Sequence, residues 1–165
     1  MQEELDVSRA MLAGFIATCV MTLLMFISPV MGIPRMDPGV MLGSLFSAHP
    51  APGSGAWWMG MLLHFINGSV IFSLIYGYVL YRELPGEPWM KGAVWGLLLW
   101  FLSEAFVSPL LGAGFFGSRS PEPAASVIGS LIGHLVYGAL LGGIAGEVVR
   151  RPARVEEQEE RRRAA

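Results

Sequence analysis

His64 and His134 are the residues whose type and setting most invite chemistry. Each lies in a long stretch nearly free of charge, and each is followed four residues on by glycine, in His64-Phe65-Ile66-Asn67-Gly68 and His134-Leu135-Val136-Tyr137-Gly138. A third apolar stretch carries one acid, Glu104. An ionisable group inside hydrocarbon costs about 2.5–3.5 kcal/mol on insertion scales, so such groups turn inward and find partners. Neutral imidazole binds metals, and imidazole and carboxylate both carry protons.

Three chemistries follow. In the first, His64 and His134 are axial ligands of one haem b, with Gly68 and Gly138 making room one turn away. In the second, Glu104 and one or both histidines form a proton or ion relay. Pro109 frees the carbonyl of Ala105 beside Glu104 and kinks the helix there. In the third, the same groups, with Asn67 and Tyr137, hydrogen-bond across helices as structural glue, worth of order 1 kcal/mol each. Copper is a further alternative, with Met59 and Met61 as thioether ligands beside His64, against the ordinary use of methionine as filler.

The elements that must position these groups are membrane helices. The 165 residues are 53% hydrophobic and 15% charged, and the charges cluster at the termini and in short gaps. A hydrocarbon core of about 30 Å takes roughly 20 apolar residues at 1.5 Å rise. Four stretches meet that length, about 11–31, 58–81, 89–111 and 126–149. The expected fold is all-α, an integral membrane four-helix bundle in a single domain over 1–149, with a charged tail at 150–165. The lead-in carries Glu3, Glu4 and Asp6 against Arg9, unlike the positive start of a signal peptide, so the first stretch reads as a retained helix. Lys and Arg gather at the N-terminus, the 82–91 loop and the tail, and only Arg35 and Arg119 fall on the other side. The positive-inside rule therefore expects both termini in the cytoplasm. Glu147 with Arg150 and Arg151 reads as an interfacial ion pair. Pairs such as Glu157 with Arg161 and Glu159 with Arg163 could extend the last helix. The single cysteine, Cys19, reads as a small buried residue.

The chain also repeats itself. Phe26-Ile27-Ser28-Pro29-Val30-Met31-Gly32 returns as Phe106-Val107-Ser108-Pro109-Leu110-Leu111-Gly112, offset by 80, and the histidine motifs are offset by 70. Both halves start from the same side, so the expectation is two parallel-repeat hairpins about an axis along the membrane normal. The histidines then share one depth, about 24–27 Å from the inner charges, with Glu104 near the same level and Leu24 in its place in the first half. At 100° per residue the histidine faces hold Asn67, Gly68, Tyr137 and Gly138, and the opposite faces hold Ser69, Ser73, Gly77, Ala139 and Gly143. Small residues on those opposite faces suit close packing, so the tight seams are expected behind the histidines.

The Phe26–Gly32 run, after a first helix rich in threonine and methionine, resembles small bacterial membrane-protein families without assigned function. That likeness implies a bacterial inner-membrane protein of four helices. One histidine from the second helix and one from the fourth also resembles membrane b-type cytochromes, which implies a single haem. No phosphate loop, zinc spacing, nucleophile motif or nucleic-acid surface is present. The expectation is a non-enzymatic cofactor-binding or accessory component of an electron-transfer system, in contact with lipid and with a second copy or a larger membrane complex.

Overall fold

The computed structural model describes residues 7–164, with the side chains of 147–160 outside the description. The acidic lead-in and the proposed pairs of Glu147, Glu157 and Glu159 lie outside the described residues. Within them the chain is all helix, and four helices are long and apolar enough to cross a membrane. We name them α1 (Val7–Met31), α3 (Gly55–Leu80), α4 (Pro88–Leu110) and α5 (Pro123–Arg163). Of α5, Pro123–Gly146 is the apolar part.

The expected loop at 32–57 holds a short helix, α2 (Pro38–Gly43). Its start is set locally. The Asp37 carboxylate accepts from the N–H groups of Gly39 and Val40, Pro38 holds the first position, and the same carboxylate takes the indole N–H of Trp57 at 2.9 Å. Ser54 caps α3 in the same way, accepting from Trp57 N–H. The last helix does not stop at 149: its backbone continues through the tail as one helix of 41 residues.

The repeated Ser-Pro-x-x-Gly runs fold alike. Gly32 and Gly112 both take positive φ, 73° and 86°, the left-handed geometry that ends a helix without a Cβ clash. Gly32 N–H donates to Pro29 O and Ile33 N–H to Ser28 O. In the second copy Gly112 N–H donates to Pro109 O and Ala113 N–H to Ser108 O.

Packing follows the repeat, and Ser73, one of the small residues expected at the seams, is joined there by Gly68 and Gly138 from the histidine faces. Within the first hairpin α1 meets α3 at Gly14 and Thr18 against Gly68 and Ser73. Within the second, α4 meets α5 at Gly92 and Gly96 against Gly138 and Gly142. A Cβ on Gly68 would strike Thr18 Oγ1, and one on Gly138 would strike Gly92 O. The glycines after the histidines are thus shut into the seams and do not open space beside the imidazoles. Across the hairpins, α1 packs closely on α5 through Ala13, Ala17, Leu141 and Ala145, all buried.

The interface related to this one by the repeat, α4 on α3, is different. Counted from the seams, Trp95 stands three residues after Gly92 where Ala17 stands three after Gly14. Trp95 meets Phe72 edge to face at 6.3 Å, and Tyr76 donates to Pro88 O at 3.3 Å. Lys91 donates to Tyr81 O at 2.8 Å, closing the turn between the helices. Aromatic bulk replaces alanine, so α3 and α4 join near their connecting turn and stand apart beyond it.

Candidate functional site

A cavity of about 440 Å³ occupies that parting, and both histidines line it. Met21 and Met25 of α1 and Tyr137 of α5 form its floor. Pro38, Met41 and Leu42 of α2 close the end nearest the long loops. Leu102, Phe106 and Val107 of α4 line it while lying exposed on the helix surface, Phe106 at 64%, so the cavity opens on the lipid-facing side of α4. No Lys, Arg, Asp or Glu lines it among the described residues.

Two of its polar groups come from helix irregularities. On α3 the segment Asn67–Ile71 is a π-turn, and on α4 so is Ser103–Val107. Each opens with a polar residue that lines the cavity, Asn67 and Ser103. The α3 turn has an identifiable cause. Phe72 N–H, which an α-helix would give to Gly68 O, goes to Asn67 O, while Gly68 O accepts the hydroxyls of Ser73 at 2.7 Å and Tyr137 at 2.6 Å. The α4 turn precedes Pro109, which has no N–H for Ala105 O. Ser108 N–H reaches back to Ser103 O instead. Single π-turns recur at functional sites.

The hydrogen bonds fix both imidazole tautomers. His134 Nδ1 lies 2.8 Å from Ser130 O, and a carbonyl only accepts, so Nδ1 carries a proton. Thr22 gives its one hydroxyl proton to Thr18 O at 2.7 Å, so it can only accept from His64 Nε2 at 2.9 Å. In the neutral rings the lone pairs are therefore on His134 Nε2 and His64 Nδ1, and no described group bonds either. The Asn67 amide and Ser103 hydroxyl likewise have no hydrogen-bond partner among the described residues.

Other expected site residues lie elsewhere. Glu104 is buried but does not line the cavity. Its carboxylate accepts from Ser108 Oγ at 3.2 Å. No three His, Cys, Asp or Glu side chains come together among the described residues, so Glu104 does not join the histidines as a metal-holding group. Gly138 belongs to the α4–α5 seam. Met59 and Met61 are outside the cavity, Met59 exposed, whereas Met21, Met25 and Met41 share it with the histidines. The site residues the sequence did not single out are Thr22, Ser103, Met21 and Met25. Thr18 and Thr22, one turn apart in the apolar middle of α1, were the available signal.

Four membrane-crossing helices around an apolar-walled cavity that carries a few polar groups define a small multi-pass membrane protein. The chain belongs to the DUF6789 family, a family of unknown function, whose model matches residues 5–156. No curated protein and no solved structure matches it. The likeness to b-type cytochromes gains no support from this membership.

Proposed function

We propose that this protein binds a bilayer-soluble small molecule in the cavity between α3 and α4, admitted sideways from the lipid, and that it does so as an accessory component of a membrane electron-transfer system. The observation that carries the reading is the cavity: ligand-sized, apolar-walled, open at Phe106 and equipped with hydrogen-bonding groups that have no partner among the described residues. Basic residues on the termini side support an orientation with both termini in the cytoplasm of a bacterial inner membrane, which sets the cavity in the outer half.

Haem b suits the residues poorly. Two axial imidazoles must present free nitrogens to each other across a slot wide enough for the macrocycle. His134 is held as a ligand would be, Nδ1 on a backbone carbonyl and Nε2 unbonded. His64 has Nε2 engaged by Thr22, and the glycines that could widen a slot are closed in the seams. A hydrogen-bonded organic ligand fits the donors and acceptors better.

The test is to purify the protein from its native membrane in mild detergent, extract it with organic solvent and identify co-purified molecules by mass spectrometry. A Ser103→Trp variant, which fills the cavity, is the control. A lipid-soluble compound near one per chain in the native protein and absent from the folded variant is expected. Equal recovery from both would reject the cavity as its site.

A further inference from the structure

We infer that the ligand's head is a hydrogen-bond donor of the hydroquinone type, an aromatic ring with two opposed hydroxyls, and that the site prefers the reduced quinol over the oxidised quinone. This rests on the cavity reading above and adds the ligand's chemistry.

The tautomers carry the inference. Each imidazole has its one N–H consumed within the protein, on Ser130 O or on Thr22 Oγ1. What each ring offers the cavity is an acceptor. Two acceptors from facing helices ask for a ligand with two donors. The absence of any lining charge among the described residues disfavours a phosphate headgroup or a carboxylate, which need cationic partners when removed from water. Neutral hydroxyls are what remain. The walls fit an aromatic ring: Met21, Met25 and Met41 bring thioethers and Phe72 brings a ring face or edge, contacts that favour arenes over saturated chains. The opening past Phe106 lets an apolar tail stay in lipid.

Redox selectivity follows from the same count. A quinone has only carbonyl acceptors. Set against His64 Nδ1 and His134 Nε2 it places lone pair against lone pair, leaving Asn67 and Ser103 as its donors. A buried hydrogen-bonding group left unmet costs about 1–3 kcal/mol. Asn67 has a further role in the repeat. It occupies the position of Tyr137, and Tyr137 is consumed on Gly68 O. Asn67 has no such bond, which leaves its amide to the ligand.

The experiment titrates the full-length protein, in detergent micelles, with decylubiquinol, decylubiquinone and the dimethyl ether of the quinol, read by calorimetry. The three share shape and tail and differ in donors. The quinol is expected to bind at least tenfold tighter than either of the others. That preference should fall to less than threefold in His134→Phe, and in Asn67→Leu quinone affinity should fall more than quinol affinity. Equal binding of all three, abolished by Ser103→Trp, would overturn the donor inference while leaving the cavity reading standing. No binding of any of the three would overturn the inference. If Ser103→Trp also left the co-purified molecules unchanged, the cavity reading would fall with it. The comparison among the three compounds uses the native chain and does not depend on any variant folding.

Discussion

The strongest test of how the site is built is a double substitution at the α3 π-turn. Gly68 O accepts two hydroxyls, from Ser73 at 2.7 Å and Tyr137 at 2.6 Å, and Tyr137 reaches it from the other hairpin. Removing one hydroxyl, by Ser73→Ala or Tyr137→Phe, leaves the other in place. The Tyr137 bond crosses helices, where such bonds average about 0.6 kcal/mol and reach about 1.7, and the Ser73 bond lies within α3, where a hydrogen bond is worth about 0.5–1.5 kcal/mol net, so each single variant should lose roughly 0.5–1.5 kcal/mol. Removing both strips a buried carbonyl of its side-chain donors, an added penalty of about 1–3 kcal/mol. The two losses should therefore be more than additive, with a coupling of at least about 1 kcal/mol, against the roughly 0.3–0.5 kcal/mol scatter of independent sites. Reversible unfolding in mixed micelles, followed by circular dichroism, measures all four corners of the cycle. One escape is built into the geometry. The double variant can return Phe72 N–H from Asn67 O to Gly68 O, converting the π-turn to α and rotating Asn67 away from the cavity. Coupling would then shrink, and co-purified ligand would be lost. Additive energies together with retained ligand would falsify the claim that these hydroxyls hold the π-turn open.

Pro109→Ala restores an N–H for Ala105 O, so α4 should lose its π-turn and gain stability, while Ser103 rotates and ligand recovery drops, seen by the same extraction assay. Gly96→Leu drives a side chain into the His134 carbonyl across the α4–α5 seam and should lose more than the 1–3 kcal/mol typical of overpacking, visible as failure to purify folded protein. Gly133→Ala is the contrasting case: its Cβ would meet Met21 at 3.5 Å, ordinary contact, so the gain in helix propensity, about 0.5–1 kcal/mol, should appear as a higher unfolding midpoint. In a Cys19→Ala background, Ser118→Cys should react with an impermeant maleimide on intact cells, and Arg161→Cys only after lysis. The reverse pattern would invert the proposed orientation.

Four membrane-crossing helices were legible because hydropathy over some 20 residues is a strong signal needing no tertiary information. The repeat was legible in Ser28-Pro29 and Ser108-Pro109 because a helix C-cap is local: glycine at the left-handed position and the residues before it suffice. The seams were not. A wheel at 100° per residue places Gly68 and Ser73 on opposite sides of α3, yet both pack on α1. A π-turn holds five residues where an α-turn holds four, so every residue after Asn67 is rotated from its expected face. The partner that stabilises that turn, Tyr137, is 69 positions away and invisible to local reading. Glu104, which does not line the cavity, lies inside the α4 π-turn, where a wheel at 100° per residue also loses its register. The α2 helix was missed because six residues are too few for periodicity, although Asp37-Pro38 carried its cap.

The site owes its existence to where the repeat is broken. Two identical hairpins about a two-fold axis would make two identical cross-interfaces, both closed by alanine like α1 on α5, with no room for a ligand. Three departures undo this. Trp95 stands where the other interface has Ala17, and against Phe72 it holds α3 and α4 apart. Thr22 fixes His64 through Nε2, whereas Ser130 fixes His134 through Nδ1, so the two cavity-lining rings are left with different nitrogens unbonded among the described residues. Tyr137 is satisfied across the bundle while Asn67, its counterpart, is not. Each departure carries a cost a symmetric bundle would avoid: aromatic bulk with a buried indole N–H that finds no partner, and polar groups left unpaired in hydrocarbon. Costs concentrated on one interface of a duplicated fold are what a ligand site requires, because binding can offset them there. It follows that replacing Trp95 by alanine should let α4 close on α3, raise stability or leave it unchanged despite the lost aromatic surface, and abolish ligand retention. A marked loss of stability with ligand retained would mean that Trp95 is core packing alone and that the cavity owes nothing to it.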